Sequence, residues 1–120
     1  MTFTYADIAK MIDHSLLNPT LTTPELEAGC RLAVAYNVAS VCILPYSLQR
    51  CAELLAGSTV APSTTIGFPH GGHTTAVKLA EARQALAGRV SRQGREGLGA
   101  EHRVAFAGTA ELAIQDCLHA

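Results

Sequence analysis

The sequence has no tryptophan, and aromatic residues make up only 5% of its 120 positions. Charge is also sparse: Asp, Glu, Lys and Arg together reach 16%, with a net charge of −1. That scarcity excludes a disordered acidic or basic chain and leaves no electrostatic footprint for nucleic acid or a membrane surface. No apolar run approaches the ~20 residues of a membrane span. The opening MTFTYADIAKMI lacks a basic stretch followed by an apolar one, so no secretory signal is read there and the expected location is the cytoplasm. Cys30, Cys42, Cys51 and Cys117 form no C-x-x-C pair, and buried free thiols are the expected state. Lysine is the scarcest charged side chain, present only at Lys10 and Lys78.

What is present is an apolar chain, 48% hydrophobic, long enough for the core of one domain. Tyr5–Ile12 reads as a short amphipathic helix with Ile8, Met11 and Ile12 turned inward. Asp13–Leu17 follows as a brief strand ended by Asn18-Pro19. Thr23 is the expected cap of a helix with Pro24 in its first position and Glu25 and Glu27 near the positive end of its dipole. Leu26, Gly29, Cys30, Ala33 and Val34 form its apolar stripe, and Asn37 closes it. Val38–Leu44 is nearly all apolar, the pattern of a parallel strand covered on both faces. After Pro45-Tyr46, a helix with Leu48, Cys51, Ala52 and Leu55 inward runs to Gly57. Thr64–Phe68 reads as a third strand, and Pro69 with Gly71-Gly72 turns the chain. Thr74 or Thr75 then caps a helix with Leu79, Ala82 and Leu86 on its apolar side and Gly88 at its C-terminus. Three strands alternating with helices give an α/β class with a parallel sheet.

The composition changes after Gly88. Gly88–Gly99, GRVSRQGREGLG, carries three arginines and four glycines without periodicity. Arg103–Ala107 is a candidate strand, and Thr109–Leu118 has an apolar stripe at Ala110, Ala113, Ile114, Cys117 and Leu118. A fourth strand is due within a few residues of Gly88 and none begins there. The expected division is therefore a β/α part over residues 1–88 and a divergent, poorly ordered tail over residues 89–120.

In a parallel α/β sheet, binding and catalytic groups gather at the carboxyl ends of the strands. Asp13 and Ser15, Cys42, and His70 with His73 are the candidates there. A metal site of Asp13, His70 and His73 is one reading, but no dependable third ligand accompanies the two turn histidines. Turn histidines bonded to main chain are preferred, and no metal is expected. A carboxylate inside a short apolar strand costs free energy unless it is paired, hydrogen-bonded or facing a polar pocket, so Asp13 stands level between a structural role and pocket duty. Cys42 has no activating base in view and is not read as a nucleophile. GREGLG has neither a strand before it nor a convincing helix after it, which removes the dinucleotide reading. The Arg/Gly stretch has no interleaved aromatics for RNA.

Ile12–Leu17 (IDHSLL), Pro19–Thr22 (PTLT), Val38–Pro45 (VASVCILP), Thr65–Gly71 (TIGFPHG) and Glu81-Ala82-Arg83 occur in register over residues 5–88. Together they resemble deoxyribose-phosphate aldolase. The resemblance implies the first three β/α units of a (β/α)₈ TIM barrel. It implies a lyase of deoxyribonucleotide catabolism that reversibly cleaves 2-deoxy-D-ribose 5-phosphate to glyceraldehyde 3-phosphate and acetaldehyde. Such class I aldolases need no cofactor and no metal: a lysine amine attacks the carbonyl, and the iminium formed acts as an electron sink. A second lysine lowers the nucleophile's pKa, and an aspartate shuttles protons. By the same resemblance, Asp13 and Cys42 line the pocket of a small phosphorylated sugar or aldehyde, Cys42 as a wall. A homo-oligomer is among the expected forms.

The chain departs from the family's pattern after residue 88. The family's proton-shuttling aspartate lies on the fourth strand, and its lysines and phosphate-binding residues lie later still. Lys10 and Lys78 fall on predicted helices and neither matches the nucleophile, so no catalytic residue is expected here and the chain alone is expected to be inactive. A reading-frame change or truncation is the preferred explanation of residues 89–120, and an authentic divergent ending is its rival. The alternative function is a non-catalytic fragment that associates with itself or with a full-length barrel through an open sheet edge.

Overall fold

Strand and helix alternate along the chain as α1 (Tyr5–Ala9), β1 (Asp13–Leu16), α2 (Thr23–Tyr36), β2 (Ser40–Ile43), α3 (Leu48–Leu55), β3 (Ala61–Ile66), α4 (Thr75–Val90) and β4 (Arg103–Phe106). A 3-10 turn, Pro45–Ser47, leads into α3. The computed structural model describes residues 1–90 and 103–106, with main chain alone at residues 88–90 and in β4. The stripe over Thr109–Leu118, Cys117 included, lies outside the described residues. All four strands are parallel, in the order β1-β2-β3-β4.

Side chains alternate across a strand, so Leu16, Val41, Ile43 and Ile66 share one face. Helices α2, α3 and α4 pack on that face through Leu26, Cys30, Leu48, Cys51, Leu55 and Ala82, among others. β2 is buried at every position, as its nearly continuous apolar run requires. Enclosing each large aliphatic side chain contributes about 1.5–3 kcal/mol. Gly29 lets α2 settle onto β1: a Cβ there would stand 2.5 Å from Leu16 Cδ2. Cys30 and Cys51 are free thiols that meet between α2 and α3, and the hydrogen bond between them, with burial, holds Cys51 above the usual thiol range.

The helix ends follow local chemistry. α1 begins with a capping box in which Thr4 and Asp7 bond reciprocally. α2 is capped by Thr22, one residue before the expected Thr23. The Glu25 carboxylate accepts from both the amide and the hydroxyl of Thr22, at 2.7 Å each. Only the threonine three positions before a glutamate can complete that box. Asn37 closes α2 in the left-handed conformation, φ 51°.

Several expectations are corrected. Ile8, Met11 and Ile12 are not inward: they are 54%, 77% and 45% exposed, because α1 stops at Ala9 and only Ala9 of that helix is buried. Gly88 does not end its helix, since α4 continues to Val90; glycine inside a helix costs only ~1 kcal/mol against alanine. β3 starts at Ala61, whose partner is Ser40, and Phe68 lies beyond it. The candidate strand at Arg103–Ala107 is present as β4, a fourth strand beside the three expected. β4 pairs with β3 from Ser63↔Arg103 to Ile66↔Phe106, which satisfies main-chain groups that a three-stranded sheet would leave open along β3.

Candidate functional site

Alternation sends Asp13 and Ser15 to the face opposite Leu16, away from the helices. The parallel register then sets Asp13 beside Ser40 and Ala61, and Ser15 beside Cys42 and Ser63. This inner face is polar where the outer one is apolar. The buried Ser40 hydroxyl donates to Asp13 Oδ1 at 2.7 Å, giving the exposed carboxylate one fixed partner. Burial pushes the Cys42 thiol up; a hydrogen bond with Ser63 offsets part of that, and the Asp13 charge adds to it. A thiol held in its protonated form makes a wall and a poor nucleophile. Thr65, on the same face nearer the strand carboxyl ends, has a buried hydroxyl with no partner among the described residues. Ser40, Ser63 and Thr65 were not singled out from sequence, although the phase of the strand alternation marks them once Asp13 is placed.

The β3–α4 turn is held from the helix side. Gly67 and Gly71 adopt φ of 70° and 65°, which glycine reaches without strain. The Gly67 amide donates to Glu81 Oε2 at 2.8 Å, and Lys78 Nζ donates to the Gly71 carbonyl at 3.0 Å. Lys78, although charged and on a helix, is only 7% exposed. Its alkyl stem packs down while its amine reaches a main-chain acceptor. His70 and His73 stand exposed on this turn and make no hydrogen bond among the described residues, contrary to the main-chain role expected for them. Glu81 and Lys78 perform it instead. Among the described residues, no three His, Cys, Asp or Glu side chains assemble as a metal-binding group.

Lys10 is engaged at the opposite, amino-terminal end of the sheet. Its Nζ donates to Asn37 Oδ1 at 2.8 Å, the Val38 carbonyl at 3.0 Å and Thr59 Oγ1 at 2.9 Å. Both lysines therefore tie loops together, and neither shares the inner face with Asp13 and Cys42. Two hollows lie elsewhere. One, of about 600 Å³, opens between the Pro45–Ser47 turn, α3 and α4, and none of Asp13, Cys42, His70 and His73 lines it. The other, about 210 Å³, is an apolar groove between α1 and α2 beside β1, lined in part by His14, whose buried Nε2 has no partner among the described residues.

No family model matches the chain. Curated proteins do: over 84 residues, 70% of this chain, it is 68% identical to the deoxyribose-phosphate aldolase of Rhodopirellula baltica. This part of the chain resembles deoxyribose-phosphate aldolase. Two solved structures agree. The deoxyribose-phosphate aldolase of Aeropyrum pernix, described as a unique tetramer, superposes with a TM-score of 0.66 at 29% identity, over 71% of this chain and 36% of that one. QR15, an aldolase, superposes with a TM-score of 0.66 at 26% identity, over 91% of this chain and 44% of that one. The chain spans about a third of the length of the curated aldolases it matches, 35% for the Rhodopirellula protein.

Proposed function

We propose that these 120 residues carry the opening β/α units of a deoxyribose-phosphate aldolase barrel and do not themselves form its Schiff base. Asp13 and Cys42 would line the pocket of a small phosphorylated sugar, and residues 1–88 would hold the part that carries the resemblance. The whole reaction would be reversible cleavage of 2-deoxy-D-ribose 5-phosphate to glyceraldehyde 3-phosphate and acetaldehyde. The observation that carries the reading is the state of the two amines. Lys10 is held by acceptors on Asn37, Val38 and Thr59 away from the inner face, and Lys78 is buried against the Gly71 carbonyl. An iminium forms only when a neutral amine reaches the carbonyl carbon and water leaves, and neither amine is free to approach a substrate lying against Asp13 and Cys42. Among the described residues no helix is long and apolar enough to cross a membrane; we place the chain in the cytoplasm.

The test is to incubate the chain with acetaldehyde, reduce with borohydride and weigh the protein. No stable adduct on Lys10 or Lys78 is expected. An ethylated lysine at either position sinks the reading. A second reading, a non-catalytic piece that associates through its sheet edge, is favoured by one observation: Tyr5, Ile8, Met11, Ile12, Leu32 and Tyr36 are all large, apolar and exposed on the α1 and β1 side of the molecule.

A further inference from the structure

The sheet has two edges among the described residues, β1 and β4, and they are complementary. Both belong to one all-parallel sheet, and each has a neighbouring strand on one side only among the described residues, leaving a row of main-chain donors and acceptors for pairing. A second copy turned about a two-fold axis can set its β4 along β1 of the first, in the parallel sense. The same rotation sets its β1 along the first copy's β4. Each copy supplies both halves of the contact, so the assembly closes at two and leaves no edge to recruit a third. Two four-stranded sheets then make eight parallel strands, the number whose barrel interior side chains can just fill.

We infer that this chain pairs with a second copy of itself through β1 and β4 into a closed two-chain barrel. The inference rests on the self-associating reading above. Three further observations point to a second copy as the occupant. Helices α2, α3 and α4 pack on one face of the sheet, leaving the polar face of Ser40, Cys42, Ser63 and Thr65 inward for closure, as a strand–helix repeat requires. The groove beside β1 is apolar, bounded by Ile8, Ile12, Leu32 and Tyr36. Such a groove suits an edge that is covered rather than wet. A net charge of −1 per copy offers little repulsion between two identical chains.

Sedimentation equilibrium of the full 120-residue chain tests the inference. The expected mass is twice 12.6 kDa, with no larger species at rising concentration. Ile8→Asp and Leu32→Asp, at exposed positions beside the β1 edge, are expected to weaken the dimer at least tenfold while the circular dichroism of the chain is kept. Tyr46→Asp, exposed on the turn after the interior strand β2, is expected to leave it unchanged. A folded monomer at every concentration overturns the inference, as does an open ladder of oligomers. A dimer indifferent to Ile8→Asp and Leu32→Asp also overturns it. Borohydride trapping is scored separately: an adduct sinks the non-catalytic reading whatever the mass, whereas a monomer without adduct sinks only the two-chain barrel.

Discussion

At the centre of the sheet, Val41, Ile43 and Ile66 are wholly enclosed between neighbouring strands and the helices above them. On the β1 flank, Ile8, Met11 and Ile12 are just as apolar and stand in water. The two regions differ in neighbours, not in composition. A periodic apolar pattern states which side of an element is greasy; whether that side is buried depends on an element that the pattern does not contain.

The sharpest way to break this contrast is to truncate one side chain from each region. Ile66→Ala is expected to cost about 2–5 kcal/mol through lost transfer energy and the cavity it leaves, whereas Met11→Ala should stay within about 0.5 kcal/mol. Equal midpoints in urea for the two variants would erase the distinction. Next in size is Glu81→Ala, which leaves the Gly67 amide without its acceptor at the end of a central strand. A loss of about 1–3 kcal/mol is expected, read as a lower midpoint in urea. Gly29→Ala probes the seam between the two regions, where α2 meets Leu16 of β1. Crowding there, partly offset by alanine's better helix propensity, should leave a net loss of about 1 kcal/mol in the same assay.

The smallest expected effect is an acid one. Asp7 and Glu25 are held below their ordinary values of 3.8 and 4.5 chiefly by side-chain hydrogen bonds with Thr4 and Thr22. Arg50 does the same for Glu27. A carboxyl lowered in the folded state contributes stability that is fully present above its unfolded value and is lost as the pH falls through the folded one. Melting temperatures taken downward from neutral pH should therefore decline only below the ordinary carboxyl values. Thr22→Val should flatten part of that decline. An unchanged acid limb in that variant would show that the Thr22–Glu25 contact is unimportant in solution.

Much of the core was legible because its signals are local. Leu26, Cys30 and Ala33 recur at helical spacing, β2 is nearly all apolar text, and Asn37 suits a left-handed end. Thr22 could also have been found, since Thr22-Thr23-Pro24-Glu25 spells the capping box and only the first threonine has the right offset. The burial of Lys78 could not, because its acceptor is a main-chain carbonyl, which leaves no trace in the residue names. For the same reason Glu81 reads as a helix-surface carboxylate until Gly67 is seen to donate to it. At the candidate site, residue type left Asp13 open between two roles, the resemblance set Asp13 and Cys42 in a pocket, and register then supplied their neighbours Ser40 and Ser63. His70 and His73 drew notice for their chemistry, yet the described structure gives them exposure and no contacts.

The Gly67 amide lies at the end of a central strand but answers to a carboxylate on a helix. Its proton can exchange with solvent only when that carboxylate releases it, so its protection reports on α4 more than on the sheet. Deuterium uptake at this amide therefore serves as a clock for the helix's docking. The turn bearing His70 and His73, tied to the same helix by Lys78, keeps the same time.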